Sequence, residues 1–319
     1  MLVYLKPLSL FPFVHSDTLF GAICSAVSEL FPDKIDEMIE DFKSKPPFIV
    51  SSMFPCVKDK DEYVRFYPKI ITTNSRDISD INAISLKKYK QVNYISEEIF
   101  LDIISGSLSE EEIIRNIDNY HIYGDLLTKN ETSESFKYNE LIIPRNTVNR
   151  MDNSSESIFY TNGYQFKGMN LYFIVHFYDE TYRPIIESAI KFLKDRGFGK
   201  DISVGKGQFD YKLCDDVIEK TLLENSGSYF VTLSRYTPTI SNIKYINNYF
   251  IINIHSAYEI SSKRGRSIQG EIRKQLRFFT EGSTFPNYEK YYGQIIHSGI
   301  HTPAVEYGYA FPVGYNKCD

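Results

Sequence analysis

Tryptophan is absent from the 319 residues, and cysteine is sparse: Cys24, Cys56, Cys214 and Cys318 form no CxxC pair and no Cys/His spacing of a zinc site. Neither a disulfide framework nor structural zinc is therefore expected to organise the fold. Long apolar runs are missing as well. No uncharged stretch reaches the roughly 20 residues that a spanning helix needs, and the one from Tyr245 to Tyr258 carries three asparagines. Met1 leads into an alternating segment rather than a basic region followed by an apolar one, so no signal peptide is expected and the protein should stay in the cytosol. Basic residues are outnumbered, 36 Lys and Arg against 41 Asp and Glu, which on average argues against a nucleic-acid partner. What is plentiful is core material. The chain is 42% hydrophobic, with 25 Tyr and 23 Phe, which excludes intrinsic disorder.

The chain opens as strand, turn and helix. Leu2 to Leu8 is short and β-prone; from Ser16, Leu19, Phe20, Ile23, Val27, Leu30 and Phe31 recur at helical spacing. Ser16 or Asp17 is placed to cap this helix and Pro32 to stop it. Phe48 to Val57 and Tyr63 to Tyr67 read as two strands. Between about 74 and 140 the texture turns polar and helical, an insertion whose block Glu97 to Glu112 has six acids and no base. This block is a solvated helical face or a contact surface for a basic protein. Strands return at Leu141 to Ile143, Ser157 to Phe166 and Met169 to Phe177. A helix opened by Arg183-Pro184 and ended by Gly197 follows, then a strand at Gln208 to Leu213. Without the insertion the order is β-α-β-β-(strands)-α-β, the split βαβ or ferredoxin-like pattern. From about Ser226 the chain is mostly β, at Tyr229 to Arg235, Tyr249 to His255 and Tyr307 to Val313.

The segment Gly197 to Phe209 holds four glycines and two lysines within its first eleven residues. Glycine lets backbone amides approach an anion, and lysine adds charge. It is not a Walker A loop, since five residues separate Gly199 from Gly205 and Gly207 follows Lys206. It is not a dinucleotide fingerprint either, because Ile202 stands where the third glycine belongs and the loop follows a helix.

Four segments, His15-Ser-Asp-Thr-Leu-Phe-Gly-Ala-Ile23, the Gly197 to Phe209 loop, Gly282-Ser-Thr-Phe285 and Tyr307-Gly-Tyr-Ala-Phe311, resemble the fourth Csm subunits, Cas5-like RAMP proteins of type III-A CRISPR effector complexes. The resemblance implies an α+β fold of two ferredoxin-like (RRM-like) domains with antiparallel sheets. The first, 1–215, would carry the helical insertion, and the second, 216–319, would be degenerate and mostly β. It implies a non-catalytic subunit that binds the 5′ repeat-derived tag of the crRNA, caps it, and docks against the large Cas-ten-type subunit and a backbone RAMP subunit. No cofactor or metal is called for.

By resemblance, Gly199, Lys200, Ser203, Gly205, Lys206 and Gly207 would track tag phosphates, with Gly197 and Gln208 bounding the loop. Pro-Arg-Asn-Thr-Val-Asn-Arg adds Arg145, Thr147 and Arg150, and alternation puts Arg145 and Thr147 on one strand face. The family often has an Asp-Arg pair there, where this chain has Asn149-Arg150. From Lys263 to Arg277 there are six bases against one acid, and Lys263, Arg264 and Arg266 flank Gly265 as a phosphate-gripping loop. His15 and Ser16 complete the set: His15 orders the strand–helix junction or contacts the RNA backbone. Two alternatives stay open, a RAMP endoribonuclease using His15 as acid or base, and a pure protein scaffold. His297 and His301 are four apart, but Gly299 and Pro303 disfavour the helix a metal pair would need.

Overall fold

The computed structural model describes residues 1–59, 62–72, 82–132, 135–199, 201–215, 217–224, 227–246, 256–265, 272–299 and 304–316. Lys200, Arg266, His301 and the strand expected from Tyr249 to His255 lie outside the described residues.

Leu2–Pro7 forms β1, and its run of buried residues from Leu2 to Leu5 suits a strand inside a sheet. Helix α1, Ser16–Leu30, buries Leu19, Phe20, Ile23 and Val27 of the predicted stripe and Ala26 besides, while Leu30 at its end is exposed. Its N-cap is His15, without a side-chain bond, rather than Ser16 or Asp17, whose polar groups are engaged elsewhere. Pro32 does end α1, and it also occupies the first turn of α2, Pro32–Ser44, a helix the sequence reading passed over. The single strand expected from Phe48 to Val57 is two, β2 (Phe48–Val50) and β3 (Phe54–Asp59). The break comes at Ser51 and Met53, where Ile174 N–H donates to Ser51 Oγ and Met53 N–H to Val14 O.

Strand β4 is Glu62–Pro68. The insertion is not purely helical. Helices α3 (Ala83–Lys90), α4 (Glu97–Ser105) and α5 (Glu110–Arg115) alternate with β5 (Tyr94–Ser96), β6 (His121–Tyr123) and β7 (Leu126–Thr128). Next come β8 (Lys137–Val148), β9 (Ser155–Lys167), β10 (Asn170–Phe177), α6 (Arg183–Arg196) and β11 (Phe209–Cys214). The large sheet has nine strands and runs β11-β1-β10-β3-β4-β5-β7-β6, with β2 also on β10. Its first four members, β11-β1-β10-β3, are the antiparallel 4-1-3-2 order of a ferredoxin-like unit, backed by α1 and α6. The insertion prolongs that sheet, and its β5–β7 pair is parallel.

The acid-only block is α4 and α5. Ile99, Phe100, Ile103, Ile104, Ile113 and Ile114 drive it into the core. Its acids are used locally: Glu97 with Arg65, Asp102 with Lys129, Glu111 with Arg115, and Glu112 in a capping box with Ser109.

The remainder comprises α7 (Val217–Glu224), β12 (Tyr229–Thr232), α8 (Ile240–Ile246), β13 (Ile260–Lys263), β14 (Leu276–Phe279), β15 (Thr284–Pro286), β16 (Ile295–His297), β17 (Val305–Tyr307) and β18 (Pro312–Tyr315). The strand expected from Tyr307 to Val313 is thus split between β17 and β18. A three-stranded antiparallel sheet, β15-β12-β18, centres this part. The domain boundary expected after residue 215 falls between β11 and α7. Side chains from both sides of it, including Phe20, Phe42, Val231, Tyr307 and Phe311, share one continuous core. Polar contacts reinforce the join: Val50 N–H donates to Tyr307 Oη at 3.1 Å and Tyr309 Oη to Phe42 O at 2.6 Å.

Candidate nucleic-acid interface

The glycine loop closes against the start of the chain. Gly207 donates its N–H to Leu10 O and accepts from Phe198 N–H, which folds the loop back on itself. Its φ is +73°, and a Cβ there would stand 1.8 Å from Phe198 O, so only glycine fits. Two further amides expected to hold phosphates are turned inward too: Gly205 N–H bonds Ile202 O, and Lys206 N–H bonds Asp201 O. Gln208 O accepts from Leu8 N–H, and its own N–H bonds Ser9 Oγ. Gly197, at φ +93°, caps α6. Ser203 is exposed in a short 3-10 turn, and Gly199 lies beside Pro12.

Lys206 departs most from expectation. It is 7% exposed, and its Nζ donates to Thr161 Oγ1 at 2.7 Å, to Asn162 O at 3.3 Å and to Asp201 Oδ2 at 3.1 Å. A cation neutralised by Asp201 and ringed by acceptors is a bracket between the loop and β9, not a free phosphate ligand.

What it brackets is a long two-stranded hairpin, β8 and β9, which pairs with no other named strand among the described residues. Register places Arg145 opposite Phe159 and Thr147 opposite Ser157, so these four share a face with Thr161, the residue that meets Lys206. Ser157 Oγ donates to Thr147 Oγ1 on that face at 3.2 Å. Arg145 and Thr147 thus lie together as alternation predicts, on the face turned to the glycine loop. The opposite face carries Ile142, Pro144, Ile158 and Tyr160, with Ile142, Ile158 and Tyr160 each more than 60% exposed. Arg150 is exposed at the tip. The root is fixed by Phe13, whose ring meets those of Tyr138, Tyr164 and Phe166 edge-on at 4.9, 4.9 and 5.3 Å.

His15, Ser16 and Asp17 work at the join between the two parts of the chain. His15 Nδ1 lies 2.8 Å from Glu281 Oε1, which Ser52 Oγ also donates to. Burial alone would raise the Glu281 carboxyl, but the bonds from His15 and Ser52 and the imidazole charge outweigh it and hold the group below its usual range. Ser16 Oγ accepts from Arg235 N–H at 3.0 Å. Asp17, buried in α1, pairs with both Arg235 and Lys263, and Lys263 and Arg273 in turn pair with buried Glu306. Lys263 is therefore tied into the join, while its neighbour Arg264 is exposed. His297 is exposed in β16. Among the described residues no three His, Cys, Asp or Glu side chains converge to hold a metal ion.

Of the predicted basic residues that the structure describes, Arg150 and Arg264 are exposed and Arg145 is partly so. Sequence reasoning missed Asp201, Thr161, Phe159 and Glu281. Of these only Glu281 had a sequence signal, its position directly before the Gly282-Ser-Thr-Phe285 run.

The fold is a ferredoxin-like unit with an inserted hairpin and a glycine-rich loop after its second helix. No family model matches the chain. A curated relative from Thermococcus onnurineus (strain NA1), the CRISPR system Cms protein Csm4, is 23% identical over 303 residues, covering 94% of this chain and 91% of the relative. The fold is similar to a chain in the crystal structure of the Csm3-Csm4 subcomplex of a type III-A CRISPR-Cas interference complex, at TM-score 0.68 and 18% identity over 99% of each chain. It is also similar to a chain in a Csm1-Csm4 cassette in complex with cA4, at TM-score 0.57 and 19% identity over 100% of this chain and 98% of that one. The chain is thus similar over nearly its whole length to a Csm4 protein, in sequence and in fold.

Proposed function

We propose that this chain is a non-catalytic subunit of a type III CRISPR effector, which binds and caps the 5′ repeat-derived tag of the crRNA and bridges the large Cas-ten-type subunit to the backbone subunits. The observation that carries the reading is the facing of the glycine loop by one side of the β8–β9 hairpin, where Arg145, Thr147 and Phe159 sit in register. A guanidinium, a hydroxyl and an aromatic face are the groups that hold single-stranded RNA by phosphate, 2′-hydroxyl and base. The bridging role is supported by the similar solved chains, which are paired with Csm3 in one case and Csm1 in the others. The division into a 1–215 and a 216–319 domain belongs to the same reading, with the Asp17 and Glu281 contacts as the weld.

The test is reconstitution of the complex with crRNA. Replacing Arg145, Arg150 and Lys200 together by Ala is expected to weaken tag retention and flatten its salt dependence. Unchanged retention in that variant overturns the surface. Non-catalysis is tested by incubating the chain with repeat RNA and a chelator; cleavage that disappears in His15→Ala would make the endoribonuclease alternative right.

A further inference from the structure

The sheet of the ferredoxin-like unit has a second face, and no role given above uses it. On the helix side, Phe20 of α1 meets Phe48, which stands opposite Phe177. Alternation carries that face along β10 to Phe173 and across to Val3, so Tyr4 and Tyr172, which stand opposite each other, lie on the far face. The insertion roofs part of it. Phe100 of α4 stacks on Tyr67 at 4.5 Å, Glu97 pairs with Arg65, and Arg65 Nη1 donates to Tyr4 Oη at 2.7 Å. Tyr4 and Tyr172 are buried there.

Next to the roof one ring stays partly exposed. Tyr63 stacks on Tyr4 with centroids 4.2 Å apart and planes 18° apart, so a buried side chain sets its orientation. Three lysines share this face. Lys58 stands directly opposite Tyr63 on β3, Lys212 directly opposite Tyr4 on β11, and Lys6 two residues past Tyr4 on β1. All three are exposed, and neither Lys58 nor Lys212 has an ion pair among the described residues. The nearby acids are spent or turned away. Asp210, opposite Lys6, pairs with Lys194 at 3.3 Å, Glu97 holds Arg65, and alternation puts Glu62 on the other face. In a chain of net charge −5, this face carries an excess of positive charge.

We propose that this face is a second contact for single-stranded RNA, with one base stacked on the Tyr63 ring and the phosphates flanking it against Lys6, Lys58 and Lys212. An aromatic ring under a splayed base, with mobile cations beside it, holds such strands without sequence preference. The face is continuous with the candidate interface: Leu10 O accepts the Gly207 N–H of the glycine loop, and the four residues from Lys6 to Leu10 span at most about 14 Å. One strand can therefore engage both surfaces. The inference adds a surface to the RNA-binding reading above, and its test separates the two.

The probe is a short oligouridine carrying 5-iodouridine, whose photochemistry reports stacking on aromatic side chains. It is cross-linked to the full chain and mapped by mass spectrometry, and its affinity is read by fluorescence anisotropy. A cross-link on Tyr63 is expected, and it should persist when Arg145, Arg150 and Lys200 are replaced by Ala. Tyr63→Ala is expected to weaken binding about tenfold, and Tyr63→Phe to retain it. Because Tyr63 also packs on Tyr4, the exposed lysines supply a second variant. Replacing Lys6, Lys58 and Lys212 together by Ala should leave the melting temperature unchanged and lower the salt slope of binding by about two. Cross-links confined to the hairpin and glycine loop, with affinity and slope unchanged in both variants, overturn this surface and leave the RNA-binding reading standing. Unchanged RNA affinity together with failed assembly of the lysine variant makes the face a protein contact and overturns the proposal equally. No binding of the probe removes both readings.

Discussion

Lys206 Nζ and Thr161 Oγ1, 45 residues apart in the chain, are 2.7 Å apart in space. This bond ties the glycine loop to the hairpin, whose β9 is also bridged to the start of the chain through Phe11 and Tyr164. Replacing Lys206 by Met is expected to loosen the hairpin, so that amides of β8 and β9 near Thr161 exchange faster with solvent deuterium. It should leave the salt slope of RNA binding nearly unchanged, since the charge is already neutralised. A slope lower by about one would mean that Lys206 contacts a phosphate instead.

The glycines of the same loop are not equivalent. Gly205 and Gly207 both have positive φ, but a Cβ at Gly205 meets nothing within 4 Å while one at Gly207 collides with Phe198. Gly205→Ala is therefore expected to cost only the left-handed backbone penalty, about 1 kcal/mol. Gly207→Ala must break the hydrogen bonds to Leu10 and Phe198, and a clearly larger loss in denaturant unfolding should follow. Equal losses would mean that the loop is not closed as described.

The join makes a separate prediction. Asp17 is fully buried as a side chain and holds two cations, Arg235 and Lys263. Asp17→Asn keeps the shape and removes the charge, leaving both cations in a partly dry setting. The expected cost in chemical denaturation is about 3 kcal/mol, the low end for a broken buried pair because Lys263 remains partly exposed. Adding Lys263→Met should return some of this stability. A double variant as unstable as the sum of the two single changes would show that the pair is not coupled.

How much of this could be read from the sequence follows from which interactions are local. Helix α1 was legible because its apolar spacing, its preceding extended turn and Pro32 agree. Helix α2 was not, since only Met38 and Phe42 bury fully among its many charges. The strands of the ferredoxin-like unit showed themselves as short, β-prone apolar runs, but β8 and β9 lie solvated on both faces and carry no such run over most of their length. In the site, the glycine loop was recognisable as a loop and Lys206 as its cation. Its acceptor, Thr161, is fixed by tertiary folding alone, which is why a buried bracket read as a phosphate ligand. The same holds for Lys263: a basic run looks solvated until Asp17 and Glu306 are brought to it from distant elements.

Acid sensitivity should be traceable to β10. Burial first, then the positive charge of the chain's amino terminus, pushes His176 down from 6.5 to about 4. In the folded protein the ring thus stays neutral where the unfolded chain already binds a proton. Its contribution to stability is complete above about pH 6.5 and is lost as pH falls from there toward 4. His176→Gln removes the titration. The difference in melting temperature between the native protein and this variant is expected to move in the variant's favour as pH is lowered across that window, and to be constant above it. A difference that stays flat from pH 7 to 4 would show that His176 is as accessible to protons in the folded chain as in the unfolded one.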